Sequence, residues 1–267
     1  MIILLLIIFF LILLEYDRVQ SFEWNPRLYY IDDCAMILVG CINNFIRCFS
    51  FNHPDMSLDC SKWFKDSSIL KSNWEIMRDE AINITNNYEL KNFKDYKDTY
   101  TLGGTTWRTF VIKWYDKPTK LACKLAPNTV DIINKTDVLS AMFSIMEPYS
   151  ILPLHKGPYK GAMRYHLGLR VPKNRMECFI NVNGKKYHWN DGEDVIFDDT
   201  YRHYVVNNTN EARIILFCDF NRPVIKPIDK IIRYINTNLA LLSTYVKQVN
   251  DVSEQSLPYN KDIIPNY

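Results

Sequence analysis

Only five histidines occur in the 267 residues, and two of them bracket an arginine in "LHKGPYKGAMRYHLGLR", Leu154 to Arg170. His155 opens "HKGP", His203 lies in "FDDTYRHYVV", and Arg213 interrupts the apolar run "EARIILFCDF" ten residues after His203. Neutral imidazole is a common ligand for iron, and two imidazoles leave coordination positions for a bidentate oxo-acid and for dioxygen. An arginine at the far end of the same cavity suits a carboxylate, because its planar fork offers two parallel donors.

Such residues need a rigid frame. On a strand, residues two apart share a face, so Arg164, His166 and Gly168 point one way while Met163, Tyr165, Leu167 and Leu169 point the other. The charged face either meets solvent or lines the mouth of an interior cavity, where a ligand must compensate the buried charge. From Thr105 the texture is strand-rich: "TTWRTFVIKWY", "SAMFSIM", "AMRYHLGLRV", "ECFINVNGKKYHW", "EDVIFDD", "RHYVVNN" and "EARIILFCDF", separated by Pro, Gly, Asn and Asp. Asn183-Gly184 marks a hairpin turn, and "APNTVDIINKT" reads as a short helix. Closely spaced short strands predict a mainly β fold, a jelly-roll barrel over residues 101–225, with helices flanking it.

Residues 23–100 form an N-terminal region expected to pack on the barrel. It reads as irregular from 23 to 57 and then as one or two helices in "SLDCSKWFKDSSILKSNWEIMRDEAINI". Residues 226–267 read as a helix followed by a polar tail, with Ile231, Ile232, Ile235, Leu239 and Leu242 set on the barrel side.

The 48% hydrophobic and 14% aromatic content is enough to bury one sizeable core, which excludes general disorder. Thirty-two basic and 30 acidic residues are well mixed, so no footprint for nucleic acid is expected. The thirteen apolar residues Ile2 to Leu14 would make a helix of about 20 Å, short against a hydrocarbon core of about 30 Å. Residues 1–22 therefore read as a signal peptide or signal-anchor, which implies a secretory or lumenal location, or membrane association through residues 2–14. Seven cysteines form no C-x-x-C pair, which argues against a zinc ribbon or a thioredoxin motif. Disulfides among Cys34, Cys41, Cys48 and Cys60, or buried free thiols, both fit, and Asn83-Ile-Thr and Asn134-Lys-Thr are glycosylation sequons.

At "FSIMEP", "HKGP", "RYHLGL", "VIFDD", His203 and Arg213, in that order, the chain resembles the aspartyl/asparaginyl β-hydroxylase family of iron(II)- and 2-oxoglutarate-dependent dioxygenases. The likeness extends upstream through "TWRTFVIKW" and "SNWEIMRDEAINI", covering roughly Ser57 to Pro223. It implies a double-stranded β-helix of cupin type that uses Fe(II), 2-oxoglutarate and O2. It further implies iron ligation by His155 and His203, and a distal co-substrate carboxylate held by Arg213 with help from Ser144. Arg164 and His166 would contact the metal-proximal carboxylate of the co-substrate or that of the substrate, and Trp107 would wall the pocket.

Gly157 stands where most 2-oxoglutarate oxygenases carry an acidic iron ligand, which agrees with this family's two-histidine iron. Asp198 and Asp199 either orient His203 or close a turn, and turn closure is the favoured expectation. The resemblance implies hydroxylation of the β-carbon of Asp or Asn in a secreted or lumenal polypeptide. A lipid acyl hydroxylase on the same fold and a non-catalytic cupin-like binding protein are the alternatives, with a zinc or manganese cupin behind them. Lys156, Lys160, Arg164, Arg170, Lys173 and Arg175, with no acidic residue among them, are expected to form a strip that attracts a negative partner.

Overall fold

The computed structural model describes residues 33–51, 54–92, 107–115 and 117–239, together with Val249 and Ser253. The apolar leader, His53 and most of the polar tail lie outside the described residues. In chain order the helices are α1 (Asp33–Phe49), α2 (Cys60–Trp63), α3 (Ser67–Ser72), α4 (Trp74–Asn87), α5 (Lys120–Leu125), α6 (Pro127–Ile133) and α7 (Ile228–Tyr234), the last running into a π-helical turn at Ile235–Leu239. The strands are β1 (Met56–Ser57), β2 (Lys91–Asn92), β3 (Trp107–Trp114), β4 (Val138–Met146), β5 (Ser150–His155), β6 (Ala162–Arg170), β7 (Cys178–Val182), β8 (Lys185–His188), β9 (Asp194–Phe197), β10 (His203–Asn207) and β11 (Arg213–Asn221).

Two antiparallel sheets result. The larger has the order β1-β9-β6-β11-β4-β3-β2 and the smaller β5-β10-β7-β8. This is a jelly roll of the double-stranded β-helix kind. Alternation along each strand divides the apolar residues into two layers. Ile145, Leu167, Leu216 and Cys218 join the helices in one core, with Met77, Ala81 and Ile84 of α4 and Ile132 and Ile133 of α6. Met146, Ile180, Val182, Phe197, Val205 and Ile215 fill the space between the sheets together with Trp189. Tyr165 stacks edge-on with Phe64 at 5.5 Å on the helical side.

Several elements differ from the sequence reading. The supposedly irregular stretch contains α1, whose Ile42 and Ile46 face a small core with Val224, Ile228 and Ile232. Three helices replace the expected one or two between Cys60 and Asn87, because the chain turns at buried Phe64 and again at Asn73, whose Nδ2 donates to the Ile69 carbonyl at 2.8 Å. The short helix α5 was not anticipated. Strand β5 was missed because Pro153 argues against a strand, yet among the described residues β5 is an edge strand paired only with β10, where a proline costs no ladder bond. On α7, Ile232 is buried but Ile231 is 47% exposed, so the apolar face is narrower than the spacing predicts. Asn183 and Gly184 both adopt positive φ, 51° and 87°, as the expected hairpin between β7 and β8 requires.

Candidate active site

His155 ends β5 and His203 begins β10, and the two are register partners across the smaller sheet. Their ring centroids lie 4.0 Å apart with planes at 52°. Each Nδ1 is tied to the carbonyl two residues back, His155 to Pro153 at 2.8 Å and His203 to Tyr201 at 2.9 Å. A carbonyl only accepts, so each Nδ1 carries the proton and each Nε2 presents a lone pair. Burial, and after it the neighbouring His203, lowers the pKa of His155 to about 3. Burial also brings His203 to about 4. Both imidazoles are therefore neutral at neutral pH, in the form that binds a metal. Among the described residues no group of three or more His, Cys, Asp or Glu side chains is placed to hold a metal ion.

Arg164 and His166 share one face of β6, as their alternation predicts, and the fold turns that face toward the space between the sheets. His166 is 4% exposed, and neither ring nitrogen has a hydrogen-bond partner among the described residues. It sits among Phe197, Phe217 and Trp189, with centroids 4.9, 5.0 and 6.0 Å away. Burial first, then the positive charges of Arg213 and Arg164, push its pKa well below the ordinary value.

Arg164 is placed differently from expectation. Its guanidinium pairs with Asp199 at 2.8 Å and with Asp219, its cross-strand partner on β11, and Asp219 also accepts from Ser140 at 2.6 Å. Burial opposes its charge, but the two carboxylates override burial and raise the pKa well above the usual arginine value. Asp219 gave no signal in the sequence; the β6–β11 register creates the pair.

Arg213 opens β11 on the same inward face. Its guanidinium lies 4.4 Å from the Trp189 ring, and Nη2 donates to Ser144 Oγ at 3.4 Å, while Nε and Nη1 are buried without partners among the described residues. Lacking a carboxylate among its described neighbours, it is pushed by burial down to about 10. Ser144 on β4 also accepts from Trp107 Nε1 at 2.8 Å, so Trp107, Ser144, Arg213 and fully buried Trp189 form one contiguous cluster. The Trp189 Nε1 is also unpartnered. Trp189 was not foreseen, because it lies just beyond β8 in a loop.

A buried cation with two idle donors beside an unpartnered imidazole fits a carboxylate ligand, and the two Nε2 lone pairs fit a divalent metal. Asp198 closes a turn onto the Thr200 amide at 3.0 Å and also pairs with Arg222 at 2.6 Å. The expected basic strip is dispersed: Lys160 is held by Thr200 at 2.9 Å and Asp198 at 3.4 Å, Arg164 is ion-paired, and the exposed members Arg170, Lys173 and Arg175 lie at the far end of β6 and just after it. His188 lies on the edge strand β8, as a surface residue should.

The family model described as aspartyl/asparaginyl beta-hydroxylase matches residues 71–223, a segment that contains every one of these site residues. The chain belongs to the aspartyl/asparaginyl β-hydroxylase family. The chain is 37% identical over 163 residues to an ornithine lipid ester-linked acyl 2-hydroxylase of Rhizobium tropici, covering 60% of this chain and 58% of the relative. It is 28% identical over 164 residues to the aspartyl/asparaginyl beta-hydroxylase of Mus musculus, covering 59% of this chain and 22% of the mouse protein. A prolyl-4-hydroxylase structure from Pseudomonas putida superposes on 70% of this chain and all of its own, with a TM-score of 0.38 and 13% identity, too distant to add to the topology. Helices α1 and α7 lie outside the matched segment.

Proposed function

We propose that this protein is a hydroxylase that depends on Fe(II) and 2-oxoglutarate and inserts oxygen into a methylene group next to a carbonyl. The observation that carries the proposal is the pairing of two neutral histidines with a buried, under-partnered arginine, His166 lying within the electrostatic reach of Arg213 and His203. His155 and His203 would hold the metal through Nε2. Arg213, Ser144 and Trp107 would receive the distal carboxylate of 2-oxoglutarate, and His166 would face its proximal end. Iron, when bound, supplies activation of dioxygen coupled to oxidative decarboxylation of the co-substrate to succinate and carbon dioxide.

The chain's own residues bind, orient and exclude water. Phe197, Phe217 and Trp189 wall the space around His166, which keeps water from the reacting C–H bond. Arg164 is held by two carboxylates, so its part is to fix the wall beside the histidines rather than to offer an idle charge to a ligand.

The two substrate classes share one chemistry. Position 2 of an ester-linked acyl chain and the β-carbon of Asp or Asn are both methylenes beside a carbonyl. We put the acyl chain of an amino-acid-headed lipid first, because the lipid-hydroxylase relative is more similar, 37% against 28% over nearly equal lengths. The polypeptide substrate expected from the sequence is the second reading, supported by the family description. Association with a membrane through residues 2–14 would suit the lipid; among the described residues no helix is long and apolar enough to cross a bilayer.

The deciding experiment supplies Fe(II), 2-oxoglutarate and O2 with either an ornithine-type lipid or a disulfide-closed peptide presenting Asp and Asn, followed by mass spectrometry. A gain of one oxygen on the lipid, with stoichiometric succinate, supports the first reading; the same gain on the peptide alone transfers the assignment to the second. Succinate formation that is indifferent to iron would overturn both.

A further inference from the structure

The loop between β5 and β6, residues 156–161, joins His155 to the strand of Arg164 and His166, and it is gripped by side chains from outside the family segment. On α1, the Asn43 amide makes a two-point contact with the loop backbone: Nδ2 donates to the Pro158 carbonyl at 2.8 Å, and Oδ1 accepts from the Lys160 amide at 2.7 Å. From the π-helical turn after α7, buried Asn236 donates to the Gly161 carbonyl at 2.9 Å and to Asn221 Oδ1 at 2.9 Å, and accepts from the Tyr159 hydroxyl at 2.6 Å. The Tyr159 ring packs into the small core that α1 shares with α7, beside Ile42, Ile228 and Ile235. The Gly157 amide donates to the Asp199 carbonyl at 2.7 Å, so the same loop is tied to the turn that leads into His203.

We infer that Asn43 and Asn236 are positioning residues, and that α1 and the C-terminal helix act as a clamp holding the β5–β6 loop so that His155 and His203 are pre-set for a divalent metal. The inference rests on the two-histidine metal reading. Two physical points support it. A polar side chain buried in an otherwise apolar helix contact is retained only where its partners are all in place, and Asn236 uses both amide atoms at 1% exposure. Second, the Asn43 amide matches a backbone donor and acceptor two residues apart, a contact that fixes the loop in position as well as in distance.

The test uses the whole chain and Co(II) alone as probe, titrated without oxygen and followed by its absorption, with hydrogen exchange measured on residues 156–161. Asn43→Ala and Asn236→Ala are each expected to weaken Co(II) binding about fivefold, the worth of one or two neutral hydrogen bonds. Exchange at the Lys160 amide should quicken in Asn43→Ala. Asn43→Asp keeps the acceptor for that amide and should restore its protection, and it carries the test should Asn43→Ala not fold. Asn238→Ala, on the exposed side of the same turn, should match the wild type. Unchanged Co(II) affinity in both clamp variants overturns the inference, as does an equal loss in Asn238→Ala. A wild-type chain that takes up no Co(II) overturns the proposed function instead; Lys160 exchange then decides the clamp by itself, and unchanged protection in Asn43→Ala refutes it.

Discussion

The carboxylate of Asp199 occupies the space that a side chain at Gly157 would need: a Cβ placed there would fall 2.1 Å from Asp199 Oδ2. The residue two after His155 therefore has no room to offer a carboxylate, and the one nearby is already turned to Arg164. Gly157→Ala should destabilise the fold by about 1–3 kcal/mol, as overpacking does. Asp199→Gly in the same chain should remove much of that penalty, giving strongly non-additive denaturant midpoints. Additive losses would show that Asp199 is not what excludes the side chain.

Removing either imidazole should remove the metal. His155→Ala and His203→Ala are each expected to abolish Co(II) absorption and iron-dependent succinate formation, with secondary structure unchanged by circular dichroism. Retained metal absorption in either variant would mean that another ligand set holds the ion.

Arg213 should respond to the co-substrate through stability as well as turnover. Without a carboxylate its charge is buried at a cost, so 2-oxoglutarate should stabilise the wild type by about 2.7 kcal/mol at a hundredfold excess over Kd. Arg213→Ala should lose that thermal shift and raise the KM for 2-oxoglutarate well over tenfold, since truncating one partner of a buried charge pair costs about 2–5 kcal/mol. Ser144→Ala, which deprives both Trp107 Nε1 and Arg213 Nη2 of an acceptor, should raise the same KM by about fivefold. An unchanged KM in Arg213→Ala would place the co-substrate elsewhere.

Acid should attack the Asp198 network. Burial resists ionisation of Asp198, but Arg222, Lys160 and the Thr200 hydrogen bond override it and hold the folded pKa below the usual 3.8. A carboxyl depressed in the folded state contributes stability above its unfolded pKa and loses it as pH falls through the folded value. Asp198→Asn should therefore be destabilising near neutrality by about 3–5 kcal/mol, because Arg222 stays buried without its counterion. The difference from wild type should shrink below about pH 4, the ordinary carboxylate range. Urea unfolding from pH 7 down to pH 3 measures this, and a pH-independent difference would contradict it.

The chemistry-bearing residues were legible in the sequence because strand alternation is a local property: once β6 is a strand, Arg164 and His166 share a face whatever surrounds them. The jelly roll followed from the density of short apolar runs and turn residues, and the Asn183-Gly184 turn from a backbone demand that few residues meet. Strand β5 was hidden because a proline rule written for central strands does not bind at an edge. Helix α1 was hidden because its apolar positions serve a contact with α7, more than 170 residues away in the chain, and no local pattern records it.

The sequence alone determined which side chains share a face and in what order they follow, since the φ, ψ and period of a strand depend only on neighbouring residues. The tertiary structure decided their partners. Register between β6 and β11 set Arg164 against Asp219, and register between β5 and β10 set His155 against His203. Closure of the two sheets buried Arg213 with donors to spare. Those pairings depend on how strands distant in sequence align, and alignment is fixed by the summed burial of two whole faces rather than by any one segment.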